Sequence, residues 1–187
     1  MSSSRCIALA LWLGAVAVPA LAQPHAHTHG RMALDVAVDG QSVALRMEAP
    51  LEGLLGFERA PRTAAERQRV ADMVARLKAA DSLFQVDAAG ACSLDRVALH
   101  SPVLGLGGAG RESAAGADAV DEADDGHADI DVDMVFRCAQ PDRARFIDVR
   151  LFDSYPRVLR IDAQVATPRG QFKRSLRPQA SRLGLVR

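Results

Sequence analysis

Alternation of apolar and polar residues with a period of two is the feature that most constrains this chain. Residues 32–39 and 43–47 each place apolar side chains at every second position. The dipeptide Asp39-Gly40 lies between them, and such a dipeptide favours a tight turn. Successive side chains of a strand point to opposite faces, so each segment would bury one face and expose the other. The pattern predicts a β-hairpin at the start of the fold.

Further strands are indicated by similar patterns along the rest of the chain. Residues 127–139 alternate most regularly, with Ile130, Val132, Met134 and Phe136 on one face and Cys138 sharing their parity. Other strands are predicted at residues 82–87 and 91–102, and a strand or a strand followed by a turn at residues 146–152. A second hairpin is predicted within residues 158–178, with its turn at 168–170.

A single amphipathic helix is predicted over residues 64–80. Thr63 is a suitable N-cap, and Glu66 stands three residues later, as a capping box requires. The apolar stripe consists of Val70, Met73, Val74 and Leu77. Together these elements predict an α+β fold, mainly antiparallel β-sheet built of hairpins with one amphipathic helix.

The first 22 residues have the pattern of a secretory signal peptide. Arg5 precedes an apolar stretch over residues 6–19, and the small residues Ala20 and Ala22 mark a cleavage site. The mature chain would therefore be periplasmic, and no later segment is apolar enough to span a membrane. The formal net charge is zero, and we expect no binding to nucleic acid.

The mature chain divides into a short N-terminal segment and one domain. Residues 23–30 carry the first histidines, and residues 31–187 form a single α+β domain. Within the domain, the halves 31–102 and 127–187 have similar predicted elements. Residues 103–126 between them are rich in Gly, Ala and acidic residues and lack any core-forming period, which predicts a disordered loop.

Two cysteines, Cys92 and Cys138, would remain after removal of the signal peptide. In an oxidising compartment they are most simply one disulfide. A thiolate pair used for redox chemistry or metal binding is the alternative, although the chain contains no C-x-x-C motif.

Three histidines stand at alternate positions just after the predicted cleavage site: His25, His27 and His29. Imidazole is a preferred zinc ligand, so the segment is a candidate metal site; a solvated polar tail is the alternative. On a flat strand neighbouring members would lie about 7 Å apart. That spacing is too long for a shared ion unless the backbone bends, so a ligand from elsewhere is expected.

The segment His127-x-Asp129-x-Asp131-x-Asp133 places four polar side chains on one face of a strand. Aspartate is unfavourable in strands, so this run calls for an explanation. We predict His127 and Asp129 as metal ligands and favour a plain solvent-exposed face for Asp131 and Asp133. His100 flanks the other end of the central loop, where a structural role is favoured. No motif of a catalytic site is present, so we expect no enzyme.

The segments "HTHGRMALDVAVDG", "MEAPLEGLLGFERAPRT", "CSLDRVALHSP", "GHADIDVDMVFRC" and "IDVRLFDSYPRVLRIDAQVATPRGQ", followed by "RLGL", occur in this order. Together they resemble the ZrgA-type periplasmic zinc-binding proteins over nearly the whole mature chain. The resemblance implies a zinc-binding protein that supports zinc acquisition beside a zinc receptor or importer. The family motifs fall on His27 and His29, on His127 and Asp129, and on the paired cysteines.

One departure from the family pattern limits the expected number of zinc ions. Family members commonly carry a histidine-rich tract in the central loop, whereas residues 103–126 contain no histidine. Carboxylates alone hold zinc weakly. We therefore expect few Zn²⁺ sites, with ligands from His25, His27, His29, His127 and Asp129. Two alternatives stay open: an envelope interaction module without physiological metal and, less favoured, a zinc-dependent hydrolase.

Overall fold

The structure is a computed structural model and describes residues 30–107 and 128–186. These ranges contain nine strands and four α-helices. The strands are β1 (Arg31–Asp39), β2 (Ser42–Pro50), β3 (Phe84–Val86), β4 (Cys92–His100), β5 (Asp129–Cys138), β6 (Phe146–Val149), β7 (Arg160–Thr167), β8 (Gly170–Leu176) and β9 (Arg182–Gly184). The helices are α1 (Leu51–Leu55), α2 (Ala64–Lys78), α3 (Ala80–Leu83) and α4 (Leu151–Ser154).

Six strands form the larger sheet, in the order β4-β5-β2-β1-β7-β8. All neighbours in it are antiparallel except β1 and β7, which are parallel. The other three strands form a sheet in the order β3-β6-β9. The predicted α+β class with mainly antiparallel sheet is confirmed.

Both predicted hairpins are present. In β1–β2 the last paired residues are Asp39 and Ser42, so Gly40 and Gln41 form the two-residue loop, one position later than the Asp39-Gly40 pair suggested. Gly40 has a φ of +51°, which favours glycine at such a turn. The β7–β8 hairpin closes at Thr167 and Gly170.

The predicted helix is α2, and its capping box is formed. The Thr63 side chain accepts a hydrogen bond from the Glu66 backbone N–H, and the Glu66 carboxylate accepts one from the Thr63 N–H. Met73 and Leu77 of its apolar stripe are buried, and the two valines of the stripe are partly buried.

One hydrophobic cluster joins the larger sheet, the helices and the smaller sheet. Its most deeply buried members come from every layer: Leu34 and Ile130 of the larger sheet, Leu77 of α2, and Ile147 and Leu183 of the smaller sheet. The core therefore lies against one face of the larger sheet, and the other face carries polar and small side chains.

The first residues of the predicted central loop are ordered. Pro102–Leu104 form a 3-10 turn, and Ser101 forms an isolated β-bridge with Leu106. The structure thus describes residues 103–107 of the predicted loop, and the loop bounds stay a prediction. Residues 108–127 and the predicted signal peptide lie outside the described residues. None of the described helices is long and apolar enough to cross a membrane.

The predicted disulfide is present between Cys92 and Cys138. The two residues are direct cross-strand partners at one end of the β4–β5 pair. The disulfide therefore links the edge strand of the larger sheet to its neighbour.

Candidate metal centre

One end of the larger sheet brings together four strand ends. Pro50 at the end of β2 is paired with Asp129 at the start of β5, and continuation of the β1–β2 register places Arg31 on the other side of Pro50. His100 ends β4 and is paired with Asp131. Since adjacent strands lie about 4.8 Å apart, β1 and β5 are separated by about 10 Å at this end.

The chain enters β1 through a fixed residue, Gly30. Its carbonyl accepts hydrogen bonds from the backbone N–H groups of Leu159 (2.8 Å) and Arg160 (3.0 Å). Its φ is +75°, and a Cβ added there would lie 3.0 Å from the carbonyl oxygen of Arg157. Glycine is therefore required both by the backbone conformation and by the close approach.

The chain enters β5 through a second fixed residue, Ala128. This residue is buried, and its carbonyl accepts a hydrogen bond of 2.9 Å from the N–H of Leu51, the first residue of α1. The fully buried Ser101 hydroxyl donates to the carbonyl oxygen of Asp129 at 2.7 Å. Both entry points at this end of the sheet are thus held in place by backbone hydrogen bonds.

His100 and Asp131 form the one described histidine–carboxylate pair at this end. The His100 Nδ1 atom lies 3.9 Å from Asp131 Oδ2, and the Arg46 guanidinium lies 3.6 Å from the same oxygen. The two side chains are 33% and 20% exposed. Two ligand atoms on one tetrahedral zinc ion lie about 3.3 Å apart, given bonds of about 2 Å. A small movement would allow this pair to share an ion.

A β-bulge explains why His100 faces this side of the sheet. The β4–β5 register shifts between Leu94 and Arg96. Before the shift Leu94 faces the core side, and after it Val97 does, so His100 is moved to the outer face opposite Asp131. The sequence carries a signal for this: the apolar spacing changes from two to three between Leu94 and Val97.

The backbone at Gly107 packs closely against the His100 side chain. A Cβ added at Gly107 would lie 2.7 Å from the His100 Cδ2 atom and 3.1 Å from its Cα. The Gly107 backbone therefore packs against the Cδ2 side of the ring, and Nδ1, on the other side of the ring, lies toward Asp131.

Another carboxylate on this face, that of Asp162 in β7, is already engaged. It accepts hydrogen bonds from Arg31 (2.6 Å), Arg160 (2.7 Å) and Ser175 (2.6 Å). Burial raises the pKa of Asp162, but these hydrogen bonds outweigh it and lower the pKa to about 2. Asp162 thus holds β1, β7 and β8 together and is a poor candidate for metal binding.

Of the five residues predicted to bind metal, only Asp129 is described. It is half-buried on the same face as Asp131, and its Oδ1 atom is inaccessible to solvent. The remaining four lie outside the described residues: His25, His27, His29 and His127. Within residues 30–107 and 128–186 no three His, Cys, Asp or Glu side chains are grouped closely enough to hold a metal ion.

Comparison with known proteins gives the context for this site. No curated protein matches the chain significantly. A family model described as ZrgA family zinc uptake protein matches residues 26–185, nearly the whole chain, including both entry points and the His100–Asp131 pair. The chain therefore belongs to the ZrgA family of zinc uptake proteins.

Proposed function

We propose that this protein binds Zn²⁺ in the periplasm and passes it to a zinc receptor or importer, without catalytic turnover. Membership of a zinc uptake family supports a zinc-related role outside the cytoplasm. The mature protein would begin after Ala22. It would hold few zinc ions, because the central loop has no histidine.

The observation that carries this proposal is the position of the two entry points. His29 directly precedes Gly30, and His127 directly precedes Ala128. Gly30 and Ala128 are fixed at the same end of one sheet, with only β2 between their strands. Ligands from the two segments therefore start about 10 Å apart, a distance that a few residues of chain can span.

We propose His25, His27, His29, His127 and Asp129 as the zinc ligands and add the His100–Asp131 pair as a supporting group. This pair lies at the same end of the sheet, and its atoms are spaced almost as two zinc ligands require. A neutral imidazole and a carboxylate are both common zinc ligands, and either can instead orient a ligand through a hydrogen bond.

Capture would depend on pH, because imidazole binds zinc only when neutral. An ordinary histidine takes up a proton near pH 6.5, so zinc affinity should fall below about pH 6. Acidification would release zinc. At neutral pH, zinc would be released when ligands of an importer replace the ligands of this protein one at a time.

Calorimetric titration of the mature protein with zinc tests the proposal. We expect saturable binding, and we expect the combined variant His27→Ala, His29→Ala, His127→Ala to weaken it by at least about 100-fold. Loss of ligands should exceed the tenfold to 100-fold effect of losing their hydrogen-bond partners. Unchanged affinity in this variant would refute the ligand assignment.

A matched pair of variants tests the role of the His100–Asp131 pair. Asp131→Asn and Asp133→Asn remove the same charge from the same face of β5, but only Asp131 lies beside His100. We expect Asp131→Asn and His100→Ala to weaken zinc binding by about tenfold. Asp133→Asn should leave it within about twofold. Equal effects of the two aspartate variants would show a general charge effect and not a site.

A further inference from the structure

A cleft that is separate from the candidate metal centre lies between α1, α2 and the turn that follows α4. Its volume is about 250 Å³, below that of pockets for drug-sized ligands. Three arginines line it, Arg69, Arg76 and Arg157, together with a single carboxylate, Asp72. The lining thus carries an excess of two positive charges in a chain whose formal net charge is zero.

Two of these arginines lie over aromatic rings, and neither has an acidic partner among the described residues. The Arg69 guanidinium lies 5.6 Å from the ring centre of Phe57, and that of Arg76 lies 5.9 Å from the ring centre of Tyr155. A cation–π contact of this kind does not use the N–H groups of a guanidinium as hydrogen-bond donors to an acid, so those donors stay available to a ligand. Asp72 is engaged by Gln68, which donates to it at 2.8 Å.

The third arginine is partly compensated. Arg157 packs over Gly56, where an added Cβ would lie 3.1 Å from its Cζ atom, and its Nε lies 4.0 Å from a Glu52 carboxylate oxygen. At that distance the contact is an ion pair without a hydrogen bond. Arg157, which also lines the cleft, therefore keeps donors that its contact with Glu52 does not use.

Tyr155, which lines the same cleft, supplies an independent sign of a missing partner. Its side chain is 6% exposed, and its hydroxyl oxygen, which is itself closed to solvent, has no hydrogen-bond partner among the described residues. Burial raises the pKa of Tyr155, with Arg76 opposing the change, so the hydroxyl keeps its proton. A buried hydroxyl without an acceptor is unfavourable, and a ligand oxygen that reached it from the cleft after a small side-chain movement would satisfy it.

We propose that this cleft binds a small oxyanion, a carboxylate or a phosphate group, through the guanidinium groups of Arg69, Arg76 and Arg157 and the hydroxyl of Tyr155. The lining offers donors and positive charge, which an oxyanion complements. Its small volume suits a free anion or one side chain of an acidic peptide. This site is independent of the zinc ligands and goes beyond the proposed function.

The chain provides its own probe. It contains one tyrosine and one tryptophan, and the tryptophan, Trp12, lies in the predicted signal peptide. Ultraviolet-excited emission of the mature protein would therefore come mainly from Tyr155. We expect it to change saturably on titration with succinate, inorganic phosphate or hexaglutamate at constant ionic strength. Saturation by the small anions would identify a free ligand, and saturation by hexaglutamate alone would identify an acidic peptide.

Variants on one helix provide the control. The double variant Arg69→Gln, Arg76→Gln should weaken binding by at least about tenfold, as expected for lost hydrogen bonds to a charged ligand. Arg67→Gln removes a charge from α2 outside the cleft and should change the affinity by less than about twofold. The proposal is overturned if no probe saturates, if sodium chloride alone reproduces the change, or if Arg67→Gln weakens binding as much as the double variant.

Tyr155→Phe, followed by calorimetry, tests the hydroxyl. Because the hydroxyl lacks a partner, this variant should unfold at no lower urea concentration than the parent. It should bind the same probe about fivefold more weakly. Unchanged affinity would contradict the role given to Tyr155.

Discussion

Gly30 shows how a single residue fixes the geometry of the candidate metal centre. Its carbonyl accepts hydrogen bonds from the backbone N–H groups of Leu159 and Arg160 at the start of β7, and its φ is positive. A side chain at this position would have to displace backbone atoms of the turn before β7. Neither relation can be avoided by a change of rotamer.

Gly30→Ala should therefore destabilise the protein more than Gly40→Ala. Both glycines have positive φ, but an added Cβ at Gly40 meets nothing within 4 Å. We expect a loss of about 1 kcal/mol for Gly40→Ala from the backbone conformation alone, and about 2–3 kcal/mol for Gly30→Ala. Urea unfolding of the two variants measures this difference. Equal losses would mean that the close contact at Gly30 relaxes without cost.

At the scale of elements, the disulfide secures the most exposed boundary of the larger sheet. β4 is an edge strand, and apart from its pairing with β5 it is held by contacts to α2 and α3. The Cys92–Cys138 bond closes a loop of 46 residues that includes the whole of β4 and β5. It joins the two strands at one end of their pairing, and His100 and Asp131 lie at the other end.

Removal of the disulfide should cost about 4 kcal/mol, the chain-entropy value for a loop of this length. The variant Cys92→Ala, Cys138→Ala should show a correspondingly lower free energy of unfolding in urea. Parent protein unfolded in the presence of a reductant should behave in the same way. A loss of unfolding free energy below about 1 kcal/mol would contradict this value. It would mean that residual contacts between the β4 and β5 segments restrict the unfolded chain even without the disulfide.

The elements differ in how far the sequence could predict them. Alternation sets which face of a strand is buried, so β1, β2 and β5 were predictable, and the capping box predicted the start of α2. Alternation does not set which strands are neighbours. The parallel pairing of β1 with β7 depends on contacts between distant segments and had no local signal.

The candidate site follows the same rule. Asp131 was correctly predicted on the outer face of the sheet. Its proximity to His100 was not predicted, because this contact depends on the bulge in β4. A change in apolar spacing was the available signal. The placement of histidines in residues 1–29 and 108–127 remains a prediction.

At the scale of the whole molecule, two carboxylates couple folding to pH. Asp162 connects three strands of the larger sheet, and Glu66 connects the start of α2 to Arg59 and Arg62. The Arg59 side chain and the Arg62 N–H lower the pKa of Glu66 to about 2, against an opposing effect of burial. The pKa of Asp162 is about 2 as well.

Stability should therefore fall as the pH is lowered from about 5 to about 2. Both pKa values are lower in the folded than in the unfolded state, so the folded state binds fewer protons, and its advantage is lost as the carboxylates become protonated. Urea unfolding across this range should show a steep slope in the parent and a shallower one in Asp162→Asn and Glu66→Gln. Asp39→Asn, at an exposed strand end, serves as the control. An unaltered slope in the first two variants would assign acid sensitivity to other groups.

The parallel pairing of β1 with β7 has a consequence for the order of events in folding. Arg31 and its partner Asp162 lie 131 positions apart in the chain. Closing so long a loop is slow, because the entropy of the chain is lost before the contact contributes any favourable free energy. During export β1 would stay an unprotected edge until β7 emerges, and Gly30 would lack the Leu159 and Arg160 N–H donors that hold it. Gly30 can thus be held in place only when β7, close to the end of the chain, has joined the sheet.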